Sequence, residues 1–153
     1  VSSRGLIERV VPTADLLIGA VLTPGGRAPT LVDEGLVQQM RAGAVIVDVA
    51  IDQGGCIATS EETTHTDPVI EKFGVQHYAV GNMPGAVPFT STEALVSVTL
   101  PYIVTIAGRG LREAVTERPE LLSGLNTVEG SVCHPGVGRA LNLTPRHPMA
   151  CLR

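Results

Sequence analysis

A chain of 153 residues with 44 % hydrophobic and 17 % charged positions is long enough for one domain, or one and a part, and too apolar to be disordered. Eleven basic residues against 15 acidic ones give a net charge of −4, and Trp is absent, so neither a nucleic-acid backbone binder nor a base-stacking surface is expected. The first residues, Val1-Ser2-Ser3-Arg4-Gly5, open no apolar signal core. The longest uncharged run, residues 94–108, contains Pro101 and falls short of the roughly 20 residues a membrane span needs, so no membrane and a cytoplasmic location are expected.

Residues 16–22 are a continuous apolar run of strand length, ended by the turn cluster Thr23-Pro24-Gly25-Gly26. Thr30-x-x-Asp33 has the form of a capping box, and Val32, Leu36 and Met40 follow on one helical face closed by Gly43. Residues 44–50 make a second buried strand. Strand, helix and strand within so short a stretch predict a parallel crossover unit.

Ile51-Asp52-Gln53-Gly54-Gly55-Cys56 then forms a glycine-rich loop, and residues 61–68 are too polar for a core element. Residues 76–80 predict a third strand, running into Gly81-Asn82-Met83-Pro84-Gly85. Thr90-x-x-Glu93 predicts the start of an apolar helix over about 91–108, bent or broken near Leu100 by Pro101. Its apolar residues Leu95, Val98, Leu100, Ile103, Val104 and Ile106 lie on more than one face, which predicts a partner outside this chain. Short helices are expected over 111–117 and 119–124, and a frayed, irregular tail over 131–153.

Three parallel strands with glycine loops at their carboxyl ends describe half of an open α/β sheet, in which ligands bind beyond those ends. The loops 22–27, 50–56 and 80–85 therefore mark the expected site. Glycines 25, 26, 54, 55, 81 and 85 are positions where a backbone can approach a ligand closely. The dinucleotide fingerprint Gly-x-Gly-x-x-Gly does not occur; Gly136-Val137-Gly138 follows no predicted strand and reads as a glycine-rich tail. Asp52 is either an Asx-turn former or a functional carboxylate, and Asp48 reads as a structural carboxylate capping backbone groups. The cysteines Cys56, Cys133 and Cys151 are an odd set without metal-ligand spacing; they read as free thiols in a reducing compartment, and no metal is expected.

Ala14-Asp15, Gly19-Ala-Val-Leu22, Arg27-Ala28-Pro29, the block from Val45 to Cys56, Thr63-Thr64-His65, Asn82-Met83-Pro84-Gly85-Ala86-Val87 and Thr90-Ser91-Thr92 closely resemble bacterial L-alanine dehydrogenase, over about residues 1–130. The resemblance implies a C-terminal part of that longer family. Residues 1–90 would be the second half of a Rossmann-type parallel sheet, residues 91–130 a helical return to the substrate domain, and 131–153 the tail. It implies NAD as cofactor, L-alanine and pyruvate as substrates, reversible oxidative deamination, a hexamer, and dependence on the missing N-terminal half.

By the same resemblance Ser2 lies near the adenosine of NAD, and Val21 and Leu22 lie beside the cofactor. Val49, Ala50, Ile51 and Asp52 flank the nicotinamide ribose, with Asp52 the catalytic aspartate. Val80, Gly81, Asn82 and Met83 close over the nicotinamide. The family's catalytic histidine and its substrate-binding arginine and lysine belong upstream, and none of His65, His77, His134 or His147 stands in for them. Two alternatives remain open: the NAD-binding component of proton-translocating transhydrogenase, which typically lacks the aspartate at position 52, and a non-catalytic remnant of the dehydrogenase.

Overall fold

The computed structural model describes residues 3–152, which fall into two compact units, one of the residues up to Thr23 with Arg27–Ala86, the other of Pro24–Gly26 with the residues from Val87 on. The first unit opens with α1 (Arg4–Val10), which the sequence reading did not anticipate. The Ser3 hydroxyl caps it by accepting from the Leu6 N–H, and Arg4 pairs with Glu8 one turn on.

β1 (Leu16–Gly19), β2 (Val45–Asp48), β3 (Val69–Lys72) and β4 (Val75–Tyr78) form one sheet in the order β1-β2-β4-β3. β1, β2 and β4 are parallel, with Leu17 opposite Ile46 and Val47 opposite Tyr78. The three expected parallel strands are therefore present, each shorter than its apolar run. β1 stops at Gly19 because its register partner is Asp48, where β2 gives way to a 3₁₀ turn and offers no further ladder.

β3 is an antiparallel edge strand that the polar flanks concealed. It joins β4 through the two-residue turn Phe73-Gly74, both residues having positive φ, 56° and 74°. That is the type I′ hairpin geometry.

α2 (Glu34–Val37) is a single turn. Its cap is Asp33 rather than Thr30: the Asp33 carboxylate accepts from the Leu36 N–H at 3.0 Å. The expected face holds, since Val32, Leu36 and Met40 are buried with Val37, Ile46, Val75 and Ile57 in one core. Gly19 is required there, because a Cβ at this position would lie 2.5 Å from the Cys56 sulfur.

In the second unit, α3 (Pro88–Arg109) runs unbroken through Pro101, so of the expected bend or break the break does not occur. It starts at Pro88, a favourable first helical position, so Thr90 lies inside the helix and caps nothing. Pro101 costs one backbone hydrogen bond, from the Ser97 carbonyl, on a helix with no buried residue. By length and composition α3 meets the requirement for a membrane span, as the core helix of a soluble protein also does.

α4 (Leu111–Glu117) and a 3₁₀ turn over Pro119–Gly124 follow as expected. The tail is not frayed. β5 (Thr127–Val128) and β6 (Ser131–Val132) form a hairpin, and α5 (Pro135–Leu141) and α6 (Pro148–Cys151) succeed it. Val115, Val128, Cys133, Cys151 and Leu152 close a second small core. These helices are too short to show a period, and each begins at a His-Pro pair, with proline first. Gly136 is a packing glycine, since a Cβ there would lie 2.8 Å from the Pro24 carbonyl oxygen.

Candidate functional site

The loops leaving β1, β2 and β4 meet at the carboxyl edge of the parallel strands, and the β2 loop is the hub. Asp48 ends β2, fully buried, and its carboxylate accepts from Ala50 N at 3.1 Å, Cys56 N at 3.0 Å and Ile57 N at 3.2 Å. This carboxylate holds the two arms of the loop together, as the sequence reading of Asp48 required. Between the arms, Val49–Gln53 forms a 3₁₀ turn closed by Gly54 at φ 93°, a left-handed cap that suits glycine.

The turn buries Ala50 and Ile51 and leaves Val49 and Asp52 outward. Asp52 Oδ1 accepts from the Asn82 N–H at 3.0 Å, which ties the β4 loop to the hub. Gln53 ties in the β1 loop: its side-chain oxygen accepts from Thr23 N at 3.3 Å, and its carbonyl from Ala28 N at 2.9 Å. A cleft of about 240 Å³ lies between the β1 and β2 loops, lined by Ala20, Val21, Leu22, Val49, Ala50, Asp52 and Gln53. Its walls are aliphatic and its one ionisable group is a carboxylate.

Of the residues singled out from sequence, Val21, Leu22, Val49, Ala50 and Asp52 are thus brought together around one cleft. Ile51 and Val80 are buried and do not line the cleft. Gly81, Asn82 and Met83 sit on the neighbouring loop, with Asn82 at φ 53° and its carbonyl accepting from Gly85 N at 2.8 Å and from His65 Nε2 at 3.2 Å. Met83 is half-buried at the start of the turn Met83–Ala86. Ser2 lies outside the described residues. Gln53 and Ala20 were not singled out, although Gln53 belongs to the Asp-Gln-Gly-Gly-Cys block and could have been found there.

Asp52 is exposed, so within this chain water screens its charge. One expectation changes, because the space left by missing Cβ atoms at the loop glycines is largely filled from within. A Cβ at Gly54 would meet the Arg27 guanidinium, at Gly25 the His134 ring, and at Gly81 the Glu62 carboxylate.

The remaining titratable groups nearby are structural. Burial, and then the neighbouring Asp48, push the Cys56 thiol up to about 11. His77 is fully buried; its Nδ1–H donates to the Val75 carbonyl at 3.0 Å, which leaves Nε2 to accept from the Thr59 hydroxyl at 2.7 Å. Burial lowers its pKa and keeps the ring neutral. His134 caps α5 by accepting from Gly136 N. Lys72, the lone lysine of the chain, pairs with Glu61 at 2.6 Å and holds that carboxyl below its ordinary range. Among the described residues no group of three His, Cys, Asp or Glu side chains is placed to hold a metal ion.

The family model "Alanine dehydrogenase/PNT, C-terminal domain" matches residues 1–135. The alanine dehydrogenase of Methanococcus maripaludis is 56 % identical over 138 residues, covering 90 % of this chain and 37 % of the relative. That of Staphylococcus saprophyticus is 54 % identical over 139 residues, covering 90 % and 38 %. A solved L-alanine dehydrogenase superposes with a TM-score of 0.74 at 54 % identity, over 92 % of this chain and 39 % of its own. A transhydrogenase from Sinorhizobium meliloti superposes with a TM-score of 0.61 at 26 % identity, over 71 % and 30 %. The chain therefore spans well under half the length of these relatives, and it belongs to the alanine dehydrogenase/PNT C-terminal domain family.

Proposed function

We propose that this chain forms the nicotinamide-facing half of an NAD-dependent alanine dehydrogenase site, serving the reversible oxidative deamination of L-alanine to pyruvate and ammonium. The observation that carries this reading is the cleft in which Val21, Leu22 and Val49 make an apolar wall beside the Asp52 carboxylate. At about 240 Å³ it suits one ring and its ribose rather than a whole dinucleotide. Residues 1–90 would then belong to the cofactor domain, 91–130 to the return toward the substrate domain, and 131–153 to an appended tail. A cytoplasmic homo-oligomer, hexameric by resemblance, goes with the same reading.

Bound NAD supplies the hydride chemistry. This chain's residues supply position and charge. Val21 and Leu22 exclude water from one face of the cleft, and Val49 from the other. Asp52 is held outward by the buried turn behind it and by the Asn82 N–H. There it can orient a ribose hydroxyl or stabilise positive charge developing on the substrate nitrogen. The acid/base histidine and the carboxylate-binding arginine and lysine come from the upstream half, so the isolated chain is inactive and binds NAD weakly.

Identity of 54–56 % to alanine dehydrogenases against 26 % to the transhydrogenase favours the dehydrogenase over the transhydrogenase reading. The test joins the chain to the upstream half of a relative and compares wild type with Asp52→Asn. Asparagine keeps the oxygen that accepts from Asn82 but removes the charge. Turnover is expected to fall on the order of 100-fold with NAD binding changed much less. Near wild-type turnover would reduce Asp52 to a loop former, and an inactive wild-type fusion would favour the remnant. NADH formation from L-alanine by the 153-residue chain alone would overturn the division of labour.

A further inference from the structure

We propose that Cys133 and Cys151 are a redox-sensitive dithiol, which a small disulfide converts into an intramolecular bridge pinning α6 to the end of β6. Both side chains are buried in the same small core with Val115, Val128 and Leu152. Their approach is fixed by the backbone. Cys133 N donates to the Asn126 carbonyl at 2.8 Å immediately after β6. The Arg146 N–H donates to the Val132 carbonyl at 2.8 Å, returning the chain alongside Cys133, and α6 then ends on Cys151. Arg112 Nη1 donates to the Leu152 carbonyl at 2.7 Å, which anchors the residue after Cys151. Both cysteines therefore share one small core and sit beside tethered backbone.

The thiols also feel each other. Burial raises the Cys133 pKa first, and the neighbouring Cys151 raises it further, while Arg146 acts in the opposite sense; the Cys133 sulfur donates to the Ser131 carbonyl at 3.5 Å. Burial alone would make an inert pair, but Cys133 lines a cavity of about 510 Å³ with His134, Arg146 and His147 on its wall. A small disulfide carrying carboxylates finds there room and the Arg146 guanidinium. On the other side, α6 is a single turn, so local opening is enough to release Cys151.

The chemistry balances as thiol–disulfide exchange. The Cys133 thiolate attacks one sulfur of the reagent, forming a mixed disulfide and releasing one thiol after protonation. The Cys151 thiolate then attacks the Cys133 sulfur and releases the second. Two protein thiols are oxidised, the reagent is reduced to two thiols, and two electrons move. Cys56 takes no part, being held in the other core beside Asp48.

The test incubates the whole chain with glutathione disulfide, quenches with acid, and counts thiols after unfolding. Two of the three thiols are expected to disappear, with a mass loss of about 2 Da in the protein and a cross-linked peptide holding Cys133 and Cys151. Dithiothreitol should restore all three. Cys151→Ser should stop at the mixed disulfide on Cys133, and Cys56→Ser should leave the bridge unchanged. Retention of all three thiols in the wild type, a bridge to Cys56, or only intermolecular dimers on a non-reducing gel would each overturn the proposal. These outcomes depend on the second unit alone and are independent of any NAD or alanine chemistry.

Discussion

Asp48 and Asp52 flank one turn and do opposite work. Asp48 is fully buried, with three backbone N–H groups on its carboxylate, and its role is complete within the chain. Asp52 makes one such bond and faces solvent, so most of its acceptor capacity is left for something else. His77 belongs with Asp48. Its lowered pKa means that below the ordinary value of 6.5 the unfolded chain takes up a proton that the folded one refuses. The unfolded state then binds more protons, so the stabilisation present above 6.5 is lost as the pH falls from 6.5 toward the folded value. Urea midpoints should therefore drop between pH 7.5 and 5.5. In His77→Gln that drop should shrink, whatever the variant's absolute stability. An unchanged difference would move the acid sensitivity elsewhere; Glu61, held down by Lys72, acts only below its ordinary 4.5.

Elements were legible where apolar runs were long. β1, β2 and β4 follow directly from residues 16–22, 44–50 and 76–80, and with them the edge where the site lies. β3 was hidden because Val69-Ile70-Glu71-Lys72 pairs two apolar residues with two charged ones and shows no alternation, and its turn uses Phe-Gly instead of a common turn pair. The tail was hidden because four- and seven-residue helices have no room for a period, and its buried Cys133, Cys151 and Leu152 are scattered in sequence. At Pro101 a bend and a break were both open from sequence; one lost hydrogen bond does not end an element that the flanking residues continue. At the site, the aliphatic wall and Asp52 came from resemblance, not from periodicity; the burial of Ile51 and Val80 away from the cleft lining needed coordinates. The hairpin offers a test at this scale. Phe73 is half exposed and holds φ 56°, a conformation that Asn tolerates far better. Phe73→Asn should raise stability by about 0.5–1 kcal/mol, read as a higher urea midpoint at unchanged slope. A lower midpoint would mean that the Phe73 ring contributes more by packing than its backbone costs.

For the molecule as a whole, α3 is the element least explained by the chain itself. Phe89 is 77 % exposed and Leu95 and Val98 62 % each, and Ile103 and Val104 are comparably open. The apolar residues surround the helix, so a single covering face would not bury them. Monomeric soluble proteins seldom leave a contiguous apolar surface of this kind in water. The relatives offer an explanation, because this chain spans only 37–39 % of their length and α3 lies inside the stretch that matches them. Covered by the remaining protein, the helix would be a core element; alone, it should seek its own copies. Sedimentation of the purified chain should therefore show concentration-dependent self-association. A double replacement at exposed positions, Val98→Lys with Ile103→Lys, should shift the distribution toward monomer without unfolding the sheet, which far-UV circular dichroism would check. A monomer at high concentration would refute the idea. Co-flotation with neutral phospholipid vesicles would instead assign α3 to a bilayer, the one alternative its length and composition allow.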